Sequence, residues 1–200
     1  MRCSRSLINS GALLLFAPAV TQAAFDRDPL NYGKIALHQY ASASPAGEDV
    51  AGYSLEVSSI FHPDFIDFNP DVLAMIGWGA YSDTVDYQRF SALIGIPFES
   101  PAAIRFSQAS RAYVAGGFEY QNADIGTNDR DTAPTVRIGV RERHGSFEVD
   151  VHGRLVAGDF DYWASAAAVH YPVTEGWDVF GGAELWDGDL GGVAGASARF

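Results

Sequence analysis

Polar and apolar residues alternate along almost the whole of this 200-residue chain. In the stretch 136–155, one set of alternate positions holds Val136, Ile138 and Val140, then Phe147, Val149 and Val151. The other set holds Arg137 and Arg141, then Glu148, Asp150, His152 and Arg154. Successive side chains of a strand point to opposite faces, so a period of two predicts a β-hairpin with one bare aliphatic face and one charged face. His144-Gly145 stands between the two runs as the expected two-residue turn. That turn pairs Arg143 with Ser146, Arg141 with Glu148 and Arg137 with His152, with Asp150 opposite Gly139.

The same period predicts ten strands, over 32–41, 50–60, 72–81, 85–96, 111–121, 135–143, 146–157, 160–171, 177–186 and 192–200. Most have the length of about 9–11 residues that a tilted strand needs to cross a bilayer. Gly, Pro, Asp and Asn cluster between them, as in "SPAGED", "YSDT", "NADIGTNDRDTAP", "VAGD" and "DGDLGG". No segment carries a helical stripe, and no linker divides the chain. The second strand sets Tyr53, Leu55 and Val57 against Ser54, Glu56 and Ser58. The fourth sets Phe90, Ala92, Ile94 and Ile96 against Tyr87, Arg89 and Ser91. In the first, eighth and ninth strands the two faces are blurred.

The charged face decides the environment. Lys34, Arg89, Arg137, Arg141, Arg154 and Arg199 fall on it together with Glu56, Glu119, Glu148, Asp150 and Glu184, and His152 shares it. A water-soluble lipid-binding barrel would have the opposite polarity, and an apolar face this continuous is not left in water. Backbone polar groups in lipid must also be paired, which strands achieve only in a closed barrel. The pattern therefore predicts an all-β fold, a closed antiparallel up-and-down transmembrane β-barrel of ten strands with eight as the alternative. In its interior opposite charges would form a salt-bridged plug.

Composition adds an export signal and excludes one class of partner. Arg2 and Arg5 precede an apolar run over 11–20 and the small residues "TQAA", the pattern of a signal peptide ending near residue 23. Residues 24–200 are then the barrel domain. The signal holds two of the 13 basic residues and none of the 25 acidic ones, leaving 11 against 25 and a net charge of −14. Nucleic acid is an unsuitable partner for such a surface. The single cysteine, Cys3, lies in the signal, so no disulfide is expected.

The signal, the alternating strands and the terminal "GASARF" resemble small Gram-negative outer-membrane β-barrels, the broad group that includes OmpA-, OmpX- and OmpW-type barrels and YfaZ-like proteins. The resemblance covers the whole mature chain as a pattern. It implies outer-membrane lipid and lipopolysaccharide as surroundings. It also implies the barrel assembly machinery as a partner, reading Phe200 with Ala198 and Ala196 before it. The match there is partial, since an aromatic two residues from the end would be stronger. A second departure concerns "FHPDFIDFNPD" and "PFESPAAIRFSQAS", which are long for the periplasmic side. Either they lie along the inner interface through Phe61, Phe65, Phe68, Phe98 and Phe106, or the strand count is eight.

Candidate chemistry is sparse. His144 and Ser146 have the His-x-Ser spacing of outer-membrane lipid A deacylases, but Phe147 stands where that family has Asn and no Glu follows at its distance. A tight turn explains the same residues without catalysis. Asp124, Asn128, Asp129 and Asp131 offer oxygen ligands in the expected loop over 122–134, but not at the spacing of a calcium loop. The five histidines show no metal-ligand spacing, so no metal or cofactor is expected. Tyr32, Tyr40, Trp78, Phe118, Tyr120, Trp163, Tyr171 and Trp177 fall near strand ends, as interfacial girdles do. The reading is a non-enzymatic barrel with a structural or surface-interaction role. A narrow channel or binder for small solutes, as in OmpW-type barrels, is the alternative.

Overall fold

In the computed structural model ten strands run up and down, each antiparallel to its sequence neighbours, and the last pairs with the first to close a barrel. The structure describes residues 28–40, 50–63, 71–82, 86–99, 109–124 and 128–200, without the side chains of Ala109, Asp124, Asn128 and Asp129. The expected signal peptide lies outside the described residues, as do Phe65, Phe68 and Phe106. The strands are β1 (Tyr32–Tyr40), β2 (Val50–Phe61), β3 (Val72–Ser82), β4 (Asp86–Glu99) and β5 (Ala109–Asp124), then β6 (Asn128–His144), β7 (Phe147–Val156), β8 (Tyr162–Thr174), β9 (Trp177–Trp186) and β10 (Asp189–Arg199). The count is ten, and the alternative of eight falls away.

Two strands are much longer than their alternation suggested. Nearly all of "NADIGTNDRDTAP" is paired, from Gln121 opposite Asp131 to Asp124 opposite Asn128, so the expected outer loop is the tip of a long hairpin. Pro134 does not interrupt it. Its carbonyl accepts the Ala157 amide (3.1 Å), so the missing N–H points to the β7 side, where the ladder has already ended at Thr135 and Val156. Gly, Asn, Asp and Pro marked a loop on propensity, and pairing over a solvent-exposed hairpin overrode it.

The turn of the charged hairpin also shifts by one residue. His144 pairs with Phe147, which leaves Gly145-Ser146 as the turn and brings Arg141 opposite Asp150, Gly139 opposite His152 and Arg137 opposite Arg154. The reason is backbone conformation. Gly145 has φ of 60° and Ser146 is not left-handed, and a positive φ at the first central position alone is the type II′ requirement. Placing Gly145 second would have asked His144 to take that conformation. At the β9–β10 turn both Asp187 (φ 51°) and Gly188 (φ 100°) are left-handed, the type I′ pattern that Asp-Gly favours.

The outer face is apolar all the way round. Ile35, Leu37, Leu55, Val57, Ile76, Ile94, Ile96, Val114, Val136, Ile138, Leu155 and Val169 are exposed there. Tyr53, Phe90, Phe118, Tyr120 and Trp163 are exposed toward the end opposite the termini, and Phe61, Phe98, Phe147, Tyr171 and Trp177 toward the terminal end. Trp163 and Tyr171 are eight residues apart on β8, about 27 Å along a strand, or about 20 Å of height at the usual tilt. The two aromatic belts bound an apolar band of about that height, a little under the roughly 25 Å usual for such barrels. Tyr32 and Tyr40, expected in the belts, are instead buried inside the barrel, because β1 turns them inward with Lys34, Ala36 and His38.

Along the wall, neighbouring strands come close enough that some glycine positions admit no side chain. A Cβ on Gly182 would strike the Ala167 carbonyl and lie 2.7 Å from the Ala168 Cα, whereas one on Gly192 meets nothing within 4 Å. Gly182→Val should therefore lower the unfolding free energy by about 1–3 kcal/mol, as overpacking does. Gly192→Val should leave it within about 0.5 kcal/mol. Denaturant titration of the folded, heat-modifiable band on SDS gels checks both.

Candidate functional site

The functional question is what fills the lumen. All twelve ionisable residues assigned to it from sequence point inward, and they form linked clusters rather than isolated pairs. At the terminal end Glu148, fully buried, accepts from Arg141 Nε (2.9 Å), Arg143 Nε (3.2 Å) and Arg199 Nη1. Arg199 Nε also donates to Asp178 Oδ2 (2.7 Å), and Ser197 Oγ to the same oxygen (3.1 Å). Arg141 Nη2 stands 3.1 Å from His170 Nδ1, and its guanidinium lies over the Tyr32 ring at 4.9 Å. The Arg141–Glu148 contact thus exists, but as a diagonal between rows of the ladder and not between directly opposed residues.

Higher in the barrel, Glu56 holds Arg137 Nη1, Lys34 Nζ (3.2 Å) and Tyr32 Oη (2.7 Å). Asp150 stands 3.4 Å from His152 Nδ1 and 3.9 Å from His170 Nε2. Arg137 and Arg154 face each other across the β6–β7 ladder, a like-charge pair that would be unfavourable alone. They separate by reaching different carboxylates, since Arg154 Nη1 donates to Glu119 Oε2 at 2.7 Å. Glu119 also accepts from Tyr162 Oη (2.6 Å) and Gln121 Nε2 (3.2 Å). Glu184 accepts from Tyr40 Oη (2.7 Å) and is paired with His38 Nδ1 (2.7 Å), whose Nε2 lies 2.8 Å from Ser54 Oγ.

Apolar groups close both ends of this polar column. Toward the end opposite the termini, Tyr40, Tyr81, Tyr87 and Tyr162 surround Trp186 at ring-centroid distances of 4.9–5.6 Å. The Arg89 guanidinium lies over Trp186 (4.8 Å) and Tyr81 (5.1 Å), a cation–π arrangement. At the terminal end Leu30 tucks into the barrel against Leu73, Met75, Leu93, Tyr113 and Ala115. A turn holds it there. Asp28 accepts the Leu30 amide (3.0 Å) and Arg111 Nε (2.9 Å), and Asn31 Oδ1 accepts the Ile60 amide (2.6 Å).

Between these closures lies one cavity of about 50 Å³, lined by Lys34, His38, Glu56, Arg137, Asp150, His152, Arg154, His170 and Glu184 among others. At about 10–15 Å³ each, it has room for three to five waters. Arg137 Nε and Nη2 and His170 Nε2 have no hydrogen-bond partner among the described residues, and water here would satisfy them. No metal-binding group of three or more His, Cys, Asp or Glu exists among the described residues.

Sequence reasoning set Tyr87 on the inner face with Arg89 but missed Tyr32, Tyr40, Tyr81, Tyr162, His38, His170, Asp178 and Trp186, most of them on the strands whose faces were blurred. One signal was available: Asp178, Phe180 and Glu184 alternate with Val179 and Ala183 once small residues are allowed on the lipid face. His144 is on the outer face, 3.3 Å from Glu142 Oε2 and stacked near Phe147, and no hydrogen bond joins it to Ser146 among the described residues. Ala196 and Ala198 sit on the outer face of β10 against Ile35 and Gly33, and Phe200 is exposed beyond its end. Asp131 accepts the Asp159 amide (2.8 Å).

No family model matches the sequence, and no curated protein matches it. Among solved structures the chain is similar to the outer-membrane phospholipase A of Escherichia coli, with 8% identity, 90% of this chain and 97% of that chain covered, and a TM-score of 0.46. It is similar also to the KdgM porin in complex with disordered oligogalacturonate, with 10% identity, coverage of 84% and 99%, and a TM-score of 0.43. A third is the N-terminal β-barrel domain of Pseudomonas aeruginosa OprF, with 17% identity, coverage of 85% and 98%, and a TM-score of 0.37.

Removing one member of the network should expose how much depends on it. Glu148→Gln leaves Arg141, Arg143 and Arg199 without their shared buried carboxylate and should cost about 3–5 kcal/mol. Glu175→Gln, at an exposed turn, should change stability by less than about 0.5 kcal/mol. Guanidinium unfolding of the two variants in the same detergent checks the contrast.

Proposed function

We propose that the protein is a non-enzymatic integral outer-membrane β-barrel whose lumen is a structural plug, and that it acts through its rim rather than through a pore. The observation that carries this reading is the filled interior. An aromatic cluster, linked clusters of salt bridges and hydrogen bonds, and an apolar cluster around Leu30 succeed one another along the axis, with a cavity of about 50 Å³ between them. A solute path would need several paired charges to part, and leaving each one buried and unpaired is strongly unfavourable.

The outer-membrane placement is supported by the apolar outer band with its two aromatic belts. The barrel assembly machinery would read the C-terminal strand ending in Ala196, Ala198 and Phe200. Outer-membrane lipid and lipopolysaccharide would cover the band. The absence of esterase activity belongs to the same proposal, and Ser146→Ala should leave the mass of lipid A in expressing cells unchanged.

Planar bilayers test the plug directly. The purified barrel should give no discrete conductance steps, while a folded variant with Arg89→Ala and Trp186→Ala, which removes the core of the upper closure, should give small intermittent ones. Steps of constant size from the unaltered protein would replace this reading with a narrow channel for small solutes.

A further inference from the structure

At the end of the barrel opposite the termini the 157–161 connection leans against the overhanging part of β6. The Ala157 amide donates to the Pro134 carbonyl (3.1 Å) and the Asp159 amide to Asp131 Oδ2 (2.8 Å). Between this connection and the aromatic closure lies a recess of about 350 Å³. Phe160, Tyr162 and Trp186 form its apolar walls, and Tyr87, Gln121, Asp159 and Asp161 supply its polar groups. We propose that this recess binds a small organic cation bearing N–H donors, a primary ammonium or a guanidinium. The proposal rests on the reading of the protein as one that acts through its rim.

The fully buried Gln121 points to a ligand. Its Nε2 donates to Glu119 Oε1 (3.2 Å), and because a carboxylate only accepts, that bond fixes which way the amide faces. Gln121 Oε1 is then left buried with no hydrogen-bond partner among the described residues. Tyr87 Oη is buried and unpartnered as well. Native interiors rarely leave such atoms unsatisfied, so a donor from outside the chain is called for.

The remaining groups select the donor's charge. Asp159 and Asp161 are exposed carboxylates at the entrance and only accept, while the Phe160, Tyr162 and Trp186 rings are electron-rich on their faces. Behind the recess Arg89 and Arg154 are balanced by Glu119 and Glu184. Arg89 is already committed to the Trp186 ring and to Tyr162 Oη (3.2 Å), so it is not offered to an anion. Asp131, Asp159 and Asp161 add three negative charges at the rim, of which Arg130 on β6 offsets one. An acceptor-lined, net-negative recess with aromatic walls complements a cation that can donate hydrogen bonds.

Trp186 provides the readout, because the other three tryptophans, Trp78, Trp163 and Trp177, are on the outward-facing side of their strands and can be replaced by Phe. In that single-tryptophan protein, folded in detergent, putrescine and agmatine should each produce a saturable change in Trp186 emission. The uncharged counterpart 1,4-butanediol should not. Asp159→Asn with Asp161→Asn should weaken binding about fivefold, the order expected of two partly exposed ion pairs, and raised salt should do likewise. Glu175→Gln, at the far end, should leave the affinity unchanged. Heat-modifiable mobility confirms that each variant is folded. An equal response to butanediol, no saturable response to either amine, or an undiminished affinity in the folded double variant would each overturn the proposal. None of these outcomes depends on bilayer conductance, so the plug and the recess stand or fall separately.

Discussion

A charge sealed inside a barrel wall must find its counterion there, because the lipid outside offers none and the lumen holds little water. That constraint organises this molecule. Glu148 on β7 takes arginines from β6 and from β10, and Asp178 on β9 shares Arg199 and, at 3.7 Å, Arg141 with it. Glu56 on β2 reaches Arg137 on β6 across the lumen. Some pairs join neighbouring strands, but Arg199–Glu148, Arg137–Glu56 and Arg154–Glu119 run between strands that are not neighbours, and these are made only when the barrel is closed in its correct register. Closure by β1 against β10 pairs the last backbone edge, and the charge network ties the walls to one another from within.

The same requirement explains which parts of the fold were legible in the sequence. Where a strand carried bulky aliphatic residues on one face and charges on the other, as at Val136 to Arg141, the environment of both faces could be read residue by residue. The ninth strand could not be read in this way. Its lipid face is built on Gly181 and Ala183 as well as Val179, and its inner face includes Phe180, so apolarity did not distinguish inside from outside. Tyr32 and Tyr40 were misplaced for a related reason. A tyrosine near a strand end suits an interfacial belt or a polar lumen equally well, and only the parity of β1 decides. The one-residue shift of the 144–147 turn came from backbone conformation at Gly145, which alternation alone does not encode. The clustering of charges survived the shift because Arg side chains reach diagonally as easily as straight across.

Filling a ten-strand lumen takes more than ion pairs. The charges occupy the middle and the terminal end, but the guanidinium groups need something to lie against, and the inward tyrosines supply it. Tyr32 carries Arg141, Tyr113 carries Arg137, and Tyr81 with Trp186 carries Arg89. The rings fill volume, and Tyr32, Tyr40 and Tyr162 also bond a carboxylate through the hydroxyl. Glycines such as Gly182 appear where the backbone of the neighbouring strand already occupies the space. Bulk and emptiness are thus complementary around the wall, which is why so small a cavity remains.

The two ends of the barrel are closed differently, and the difference follows from strand length. At the terminal end the chain itself supplies the stopper, with Leu30 inserted before β1 begins. At the other end β6 begins at Asn128 but pairs with β7 only from Thr135, so seven residues of β6 rise above β7, while β5 stays paired with β4 up to Ala123. A barrel with a level rim would present only the edges of the aromatic cluster. Here the 157–161 connection bends onto the raised hairpin instead of standing free, and the step between high and low rim becomes a concave surface. Concavity brings Gln121, buried on the tall strand, into line with Asp161 on the short connection, two residues that alternation along the chain gave no reason to associate.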